Sequence, residues 1–304
     1  MSTAAVVVDP QLDTSQPEKR TPQRQLAMGQ ANWGMKIGII ILCILWMIPA
    51  VGVILTSFRT EAAAQSTGWW TFISDFSNYG WSTGNYSDAW TNAELGPAFL
   101  NSLAIALPAT FIPILIAAFA AYAFTFMSFP FRDTLFIVIV SMLVVPNYVA
   151  FVPILKVYST LGVKGFPAVW LAHIGFGMSL AIYLFRTYMS TLPRSVIESA
   201  KIDGASDFQT FYRLVLPMSV PVLASFAIFQ FLWVWNDLLV ALIFIGPGEN
   251  APITVATQQL MGQRGEGWNL VTAAGILTAI LPIIIFLALQ RYFVRGLTAG
   301  SVKG

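Results

Sequence analysis

Uncharged apolar stretches recur along the chain at a length that crosses a bilayer. The first, Ile37 to Leu55, carries no charged residue and as a helix extends about 28 Å, close to the hydrocarbon thickness. Five more follow, so spans are expected at roughly 36–58, 97–127, 134–156, 166–189, 219–245 and 270–293. Several contain proline: Pro49, Pro108, Pro113, Pro146, Pro153 and Pro282. In water these would break the helices, but inside a membrane bundle a neighbouring helix re-satisfies the carbonyl that a proline frees. The pattern predicts an all-α membrane protein with six transmembrane helices over residues 36–304. Residues 1–35, with Pro10, Pro17 and Pro22, have the polar composition of a solvated, disordered tail. That polar start and the run after it are both too long for a cleaved signal peptide, which leaves an uncleaved first span.

Lysine and arginine orient the six spans. With the first tail inside, Lys19, Arg20, Arg24, Lys36, Arg132, Arg186, Arg194, Lys201, Arg213, Arg291, Arg295 and Lys303 fall on the cytoplasmic side, against Arg59, Lys156, Lys164 and Arg264 outside. Twelve against four places both termini in the cytoplasm. Two outer loops exceed a tight turn. Residues 59–96 hold Trp69, Trp70, Phe72, Tyr79, Trp81, Tyr86 and Trp90, the composition of an interfacial aromatic belt. Residues 246–269 are glycine-rich and suit a loop that reaches toward a partner.

Composition supports this class: 57% of residues are hydrophobic and 10% charged, against about a quarter charged in soluble domains. A net charge of +2 gives no reason to expect nucleic acid. One cysteine, Cys43 in the first span, forms no internal disulfide and is expected as a small buried hydrophobe. A single histidine leaves little hydrolytic or metal chemistry, and no metal site is expected. No glycine-rich phosphate loop ending in Gly-Lys-Ser/Thr occurs, so ATP hydrolysis by that route is excluded for this chain.

One inner loop stands apart. Residues 192–217, between the fourth and fifth spans, read as two short helices joined at Gly204, where the backbone can turn sharply. Ser195 with Glu198, and Ser206 with Gln209, match capping boxes, and Glu198 is expected to put a negative charge in a first turn. Leu216-Pro217 is expected to end the second helix. Such an elbow is a plausible docking element.

Glu198, Ser199, Ala200, three residues, Gly204, nine residues, then Leu214, Val215, Leu216 and Pro217 resemble the EAA loop of permease subunits in binding-protein-dependent ABC importers. Ser199 replaces the second alanine and Leu214 the isoleucine of that pattern, both without changing its spacing. Glu61-Ala62-Ala63 spells the same letters on the outer side with Thr67 at the glycine position, a chance match. The resemblance implies that residues 192–217 form a coupling helix seated in an ATP-binding subunit. Glu198, Ser199, Ala200, Asp203, Gly204, Leu214, Leu216 and Pro217 would carry that contact. The C-terminal stretch 290–304 is similar to the short tails of maltose-type permeases. This implies that the tail, residues 294–304, brings Ser301, Val302, Lys303 and Gly304 against the ATPase. Residues 229–244 resemble the fifth span of the oligosaccharide and α-glucoside group.

By that resemblance the chain binds no cofactor itself. ATP and Mg belong to a dimer of ATP-binding subunits. A second, related permease would complete a heterodimer, and an extracytoplasmic sugar-binding protein would deliver the solute, in a prokaryotic cytoplasmic membrane. Asp237 is singled out on physical grounds too, because a charge within a span costs about 2.5–3.5 kcal/mol on insertion scales. With Asn236 it either lines a solute pathway or binds across helices. Trp233 and Trp235 suit sugar faces or bundle contacts, and His173 suits an interhelical hydrogen bond or a solute. A self-sufficient secondary transporter would want paired midplane charges and repeat halves, which are not evident. A permease for a non-sugar solute is the remaining alternative.

Overall fold

The computed structural model describes residues 33–261 and 267–298, with side chains through residue 290. Helices in chain order are α1 (Trp33–Ser57), α2 (Glu61–Ser66), α3 (Thr71–Ser74), α4 (Gly84–Ser87), α5 (Leu95–Phe126), α6 (Arg132–Ser141), α7 (Asn147–Leu161), α8 (Phe166–Met189), α9 (Arg194–Ile202), α10 (Asp207–Thr210), α11 (Leu216–Met218), α12 (Val220–Trp235), α13 (Leu239–Phe244), α14 (Ile253–Gln259) and α15 (Trp268–Thr298). Apart from one bridge between Arg59 and Trp81, the described residues contain helix and turn. Four helices, α1, α5, α8 and α15, are long and apolar enough to cross a membrane. Two bent pairs raise the number to six if each is one span.

The bends correct two expected spans. The third is not one helix: it turns by 104° between Arg132–Val144 and α7, across Val145 and Pro146. Pro146 lacks the N–H that would carry the helix through, and it biases Val145 to extended backbone. The fifth ends at Trp235, ten residues short of the expected limit, and resumes as α13 after a break at Asn236–Leu238. Its inner end bends by 70° at Ser219, so Pro217 lies within α11 rather than terminating the elbow. Helix α1 begins at Trp33, slightly before the expected boundary, and Cys43 on it is exposed rather than buried.

Residues Ala50 onward form one compact unit whose centre is α5, packed along α8 and α12. Small residues make the approach possible: Ala106, Ala109, Ala117, Ala118 and Ala121 of α5 are buried, as are Ala168, Ala172 and Ala181 of α8. Prolines inside these helices free carbonyls four residues back, and side chains from neighbouring helices fill them. Pro108 frees Ala104, whose oxygen accepts from Trp170 Nε1 at 2.9 Å. Pro113 frees Ala109, which accepts from Gln230 Nε2 at 3.2 Å. Pro282 frees Thr278, which accepts from Trp235 Nε1 at 3.1 Å. Three backbone deficits thereby become three interhelical hydrogen bonds, α8 to α5, α12 to α5 and α12 to α15.

Segment 58–94 folds around Arg59. Arg59 is only 1% exposed. Its guanidinium donates to Thr67 O at 2.8 Å, to the Thr67 hydroxyl and to Tyr79 O, and lies 4.6 Å from the Tyr79 ring centroid. Burial raises the Tyr79 pKa above its ordinary value, outweighing the lowering by Arg59. Phe72 packs edge-on to Tyr79, Phe76 and Trp81. Asn85 donates to the carbonyls of Ser57 and Arg59, and Asn269 of α15 donates to Asn85 Oδ1. Segment 246–269 departs from the expected loop, since it contains α14. Asn101 Nδ2 holds Glu249 O and Ala251 O, and Ser102 Oγ accepts from Ile253 N, tying it to α5.

Candidate functional site

The elbow at 192–217 is a two-armed projection with a buried root. Helix α9 starts at Arg194 behind Pro193, so Ser195 makes no cap and Glu198 falls beyond the first turn, contrary to expectation. Proline at that position supplies the extended entry geometry but no side-chain acceptor. The arm ends as anticipated: Gly204 has φ +83°, Ala205 N donates to Ala200 O at 3.0 Å, and Gly204 N donates to Lys201 O. This pair of bonds is a Schellman ending, which favours glycine at the left-handed residue. Across the turn, Ser206 Oγ accepts from Gln209 N, and Gln209 Oε1 accepts from Ser206 N, the reciprocal capping box expected there.

Two contacts that sequence reasoning missed meet at Asp207, one joining the arms and one tying the second arm to α5. Lys201 Nζ lies 3.1 Å from Asp207 Oδ1, and Tyr122 of α5 donates to the same carboxylate oxygen at 3.3 Å. The available signal was Asp207 directly after the capping serine, with a lysine six residues earlier. Ile197, Phe211 and Val215 are buried against α5 and α8, with Phe211 4.5 Å from the Phe119 ring. Outside this root, Glu198, Ser199, Asp203, Gly204 and Pro217 are exposed, while Ala200, Leu214 and Leu216 are half-buried. Ile202, Phe208 and Tyr212 are exposed too, the last two with parallel rings 6.4 Å apart. The elbow therefore offers apolar and acidic groups together on a pre-organised surface.

The candidates inside the spans separate. Trp233 lines a cavity of about 840 Å³ beside the bend of the third span, with Tyr158, Phe176, Phe229, Asn147 and Ser179 among its walls. None of its walls carries a charge. Asn236 and Asp237 are not among them. Asn236 Nδ2 donates to Leu232 O of its own helix. Asp237 Oδ2 accepts from Ala241 N, in the first turn of α13, at 3.2 Å, and its backbone carbonyl accepts from Thr254 Oγ1 at 2.7 Å. His173 is buried with Nε2 3.8 Å from Asp237 Oδ2, and its Nδ1 has no hydrogen-bond partner. With Ser102 they border a separate void of about 10 Å³. Trp235 is fully engaged in the bundle, on Phe231 and Thr278. Ser301, Val302, Lys303 and Gly304 lie outside the described residues. No group of three or more His, Cys, Asp or Glu among the described residues is placed to hold a metal.

Comparison with known proteins gives concordant matches. The profile of a family described as binding-protein-dependent transport system inner membrane component matches residues 97–299. The chain is 49% identical over 270 residues to the osmoprotective compounds uptake permease protein GgtD of Synechocystis sp., covering 88% of this chain and 91% of that one. It is 53% identical over 227 residues to the alpha-glucoside transport system permease protein AglG of Rhizobium meliloti. That match covers 72% of this chain and spans 60% of the relative's length. Among solved structures, a chain of a bacterial ABC transporter involved in the import of the acidic polysaccharide alginate superposes with TM-score 0.70 at 16% identity. The superposition covers 87% of this chain and 99% of that chain, a likeness of fold.

Proposed function

The chain belongs to the binding-protein-dependent transport system inner membrane components, and from that premise we propose that it is one of two permease subunits of an ATP-driven sugar importer. It is a multi-pass membrane protein and a transport subunit. In this reading the two bent helix pairs count as spans, giving six with both termini in the cytoplasm. Residues 1–35 form the inner tail and 36–304 the permease domain. The elbow at 192–217 docks in an ATP-binding subunit, and residues 301–304 reach the same partner. ATP and Mg bind that dimer, a related permease supplies the other half of the pathway, and an extracytoplasmic binding protein delivers solute at outer loops 59–96 and 246–269. Closure of the ATPases on nucleotide pushes the elbow, and its buried root passes the motion to α5 and α8 as a rigid body.

The observation that carries this reading is the elbow. It combines the EAA spacing with a glycine-dependent turn, an acidic Glu198 that has no ion-pair partner among the described residues, and exposed Ile202, Phe208 and Tyr212. Glu198→Ala and Gly204→Val should each lower solute uptake and solute-stimulated ATP turnover several-fold while membrane insertion stays normal. Valine at φ +83° is strained by about 1–2 kcal/mol. Wild-type transport in both variants would sink the coupling assignment.

For the solute, an uncharged cavity wall with Trp233, Tyr158 and Phe229 suits a neutral molecule with flat apolar faces. Relatives named for alpha-glucosides and for osmoprotective compounds support an α-glucoside or a related compatible solute. Asp237 and His173 act on this pathway from behind Trp233, whose ring lies 6.2 Å from the imidazole.

A further inference from the structure

The outer segment folds back along the first span. The Trp69 indole lies against bare backbone at Gly52, where an added β-carbon would come within 2.9 Å of Nε1. Gly52 belongs to the uncharged apolar run and sits five residues before the end of α1 at Ser57, about 8 Å down the helix axis. The turn around Trp69 therefore sits level with Gly52, inside the apolar run and below the end of α1 at Ser57.

Its backbone meets the requirement that depth imposes. Carbonyls exposed to hydrocarbon without partners cost several kcal/mol each. Here Thr67 O accepts from Arg59, Gly68 O from Thr71, Trp69 O from Phe72 N and the Tyr79 hydroxyl, Trp70 O from Ile73 N, and Thr71 O from Asp75 N. No charged residue occurs from Ser66 to Ser74. The aromatic set divides: Phe72 packs on Tyr79, whose ring faces Arg59, whereas Trp70, Ile73 and Phe76 are 63%, 84% and 59% exposed. Glu61 precedes this tip, and Asp75, between Ile73 and Phe76, is exposed and accepts from Asn78.

We propose that residues 66–76 form a re-entrant turn that buries Trp70, Ile73 and Phe76 in the outer leaflet at the headgroup–acyl boundary, with Arg59 as its internal pin. The occupant of this face is lipid, because the position of Trp69 against Gly52 sets its depth and the aromatic-aliphatic tip matches the interface.

The test uses the full-length chain in lipid nanodiscs, with Cys43→Ser as background and single cysteines at Ile73→Cys and Phe76→Cys. Ile73 is 84% exposed and takes no part in the ring contacts, so a spin label there leaves the internal packing intact, whereas at 76 the label replaces a ring that packs on Phe72 and Trp81. Glu61→Cys serves as the aqueous reference. The ratio of collision with oxygen to collision with a water-soluble nickel chelate should be several-fold higher at 73 and 76 than at 61. Equal nickel access at all three positions overturns the proposal. So does a tip that is lipid-exposed in the chain alone but loses oxygen access when co-purified subunits or an added binding protein are present, which would assign the face to a protein.

Discussion

At the scale of single residues, the proline-freed carbonyls give the sharpest prediction. Gln230→Leu leaves Ala109 O without its donor, because Pro113 cannot supply one. The loss is expected to cost about 1–2 kcal/mol, seen as a lower midpoint in detergent unfolding. Pro113→Ala restores the backbone donor, so the double variant should recover most of it. If the two losses simply add, the hydrogen bond is not what matters at this site. The principle behind this exchange was legible from the prolines alone. Which donors answer them was not, since Trp170, Gln230 and Trp235 look like ordinary span residues until three helices are in register. The same limit applied to Arg59. Its charge was counted as an outer-loop cation, while its burial depends on Thr67 and Tyr79, which local pattern does not link to it.

At the scale of the element, the elbow was readable where local chemistry decides and opaque where it does not. Gly204 and the Ser206–Gln209 box depend on neighbours within five residues, and both behave as anticipated. Ser195 fails as a cap because Pro193 sets the start of α9 first. Broken spans escaped notice for a related reason: hydropathy averages over Pro146 and over Asn236–Leu238, but the backbone does not. Asp207→Ala removes both the Lys201 ion pair and the acceptor for Tyr122. Since the pair is about half exposed, global stability should fall by less than about 1 kcal/mol. Solute-stimulated ATP turnover should nevertheless drop several-fold, because the two arms lose their fixed angle. Tyr122→Phe, which keeps the ion pair, should give a smaller loss. Reduced stability with unchanged turnover would make the contact merely structural.

At the scale of the whole molecule, the family assignment leads to a prediction about company. Solubilised gently from its native membrane, the chain should emerge with an ATP-binding subunit and a second permease, identifiable by mass spectrometry. A chain that emerges alone and moves solute into liposomes without ATP would replace the importer reading with a secondary transporter. The class, the apolar segments and the glycine-hinged elbow were within reach of the sequence, because bilayer thickness and motif spacing are one-dimensional quantities. The cavity beside Trp233 was not, since its walls come from helices far apart in the chain. The proline arrangement also has a consequence in time. Helix α5 is synthesised more than a hundred residues before Gln230 exists, an interval on the order of ten seconds at bacterial elongation rates. Ala104 O lacks its donor until Trp170 follows 66 residues later, and Ala109 O until Gln230, so the newborn helix must wait in a sheltered site or tolerate water at its kinks. Synthesis order thereby makes the arrival of α8, and then α12, the moments at which the core of this protein closes.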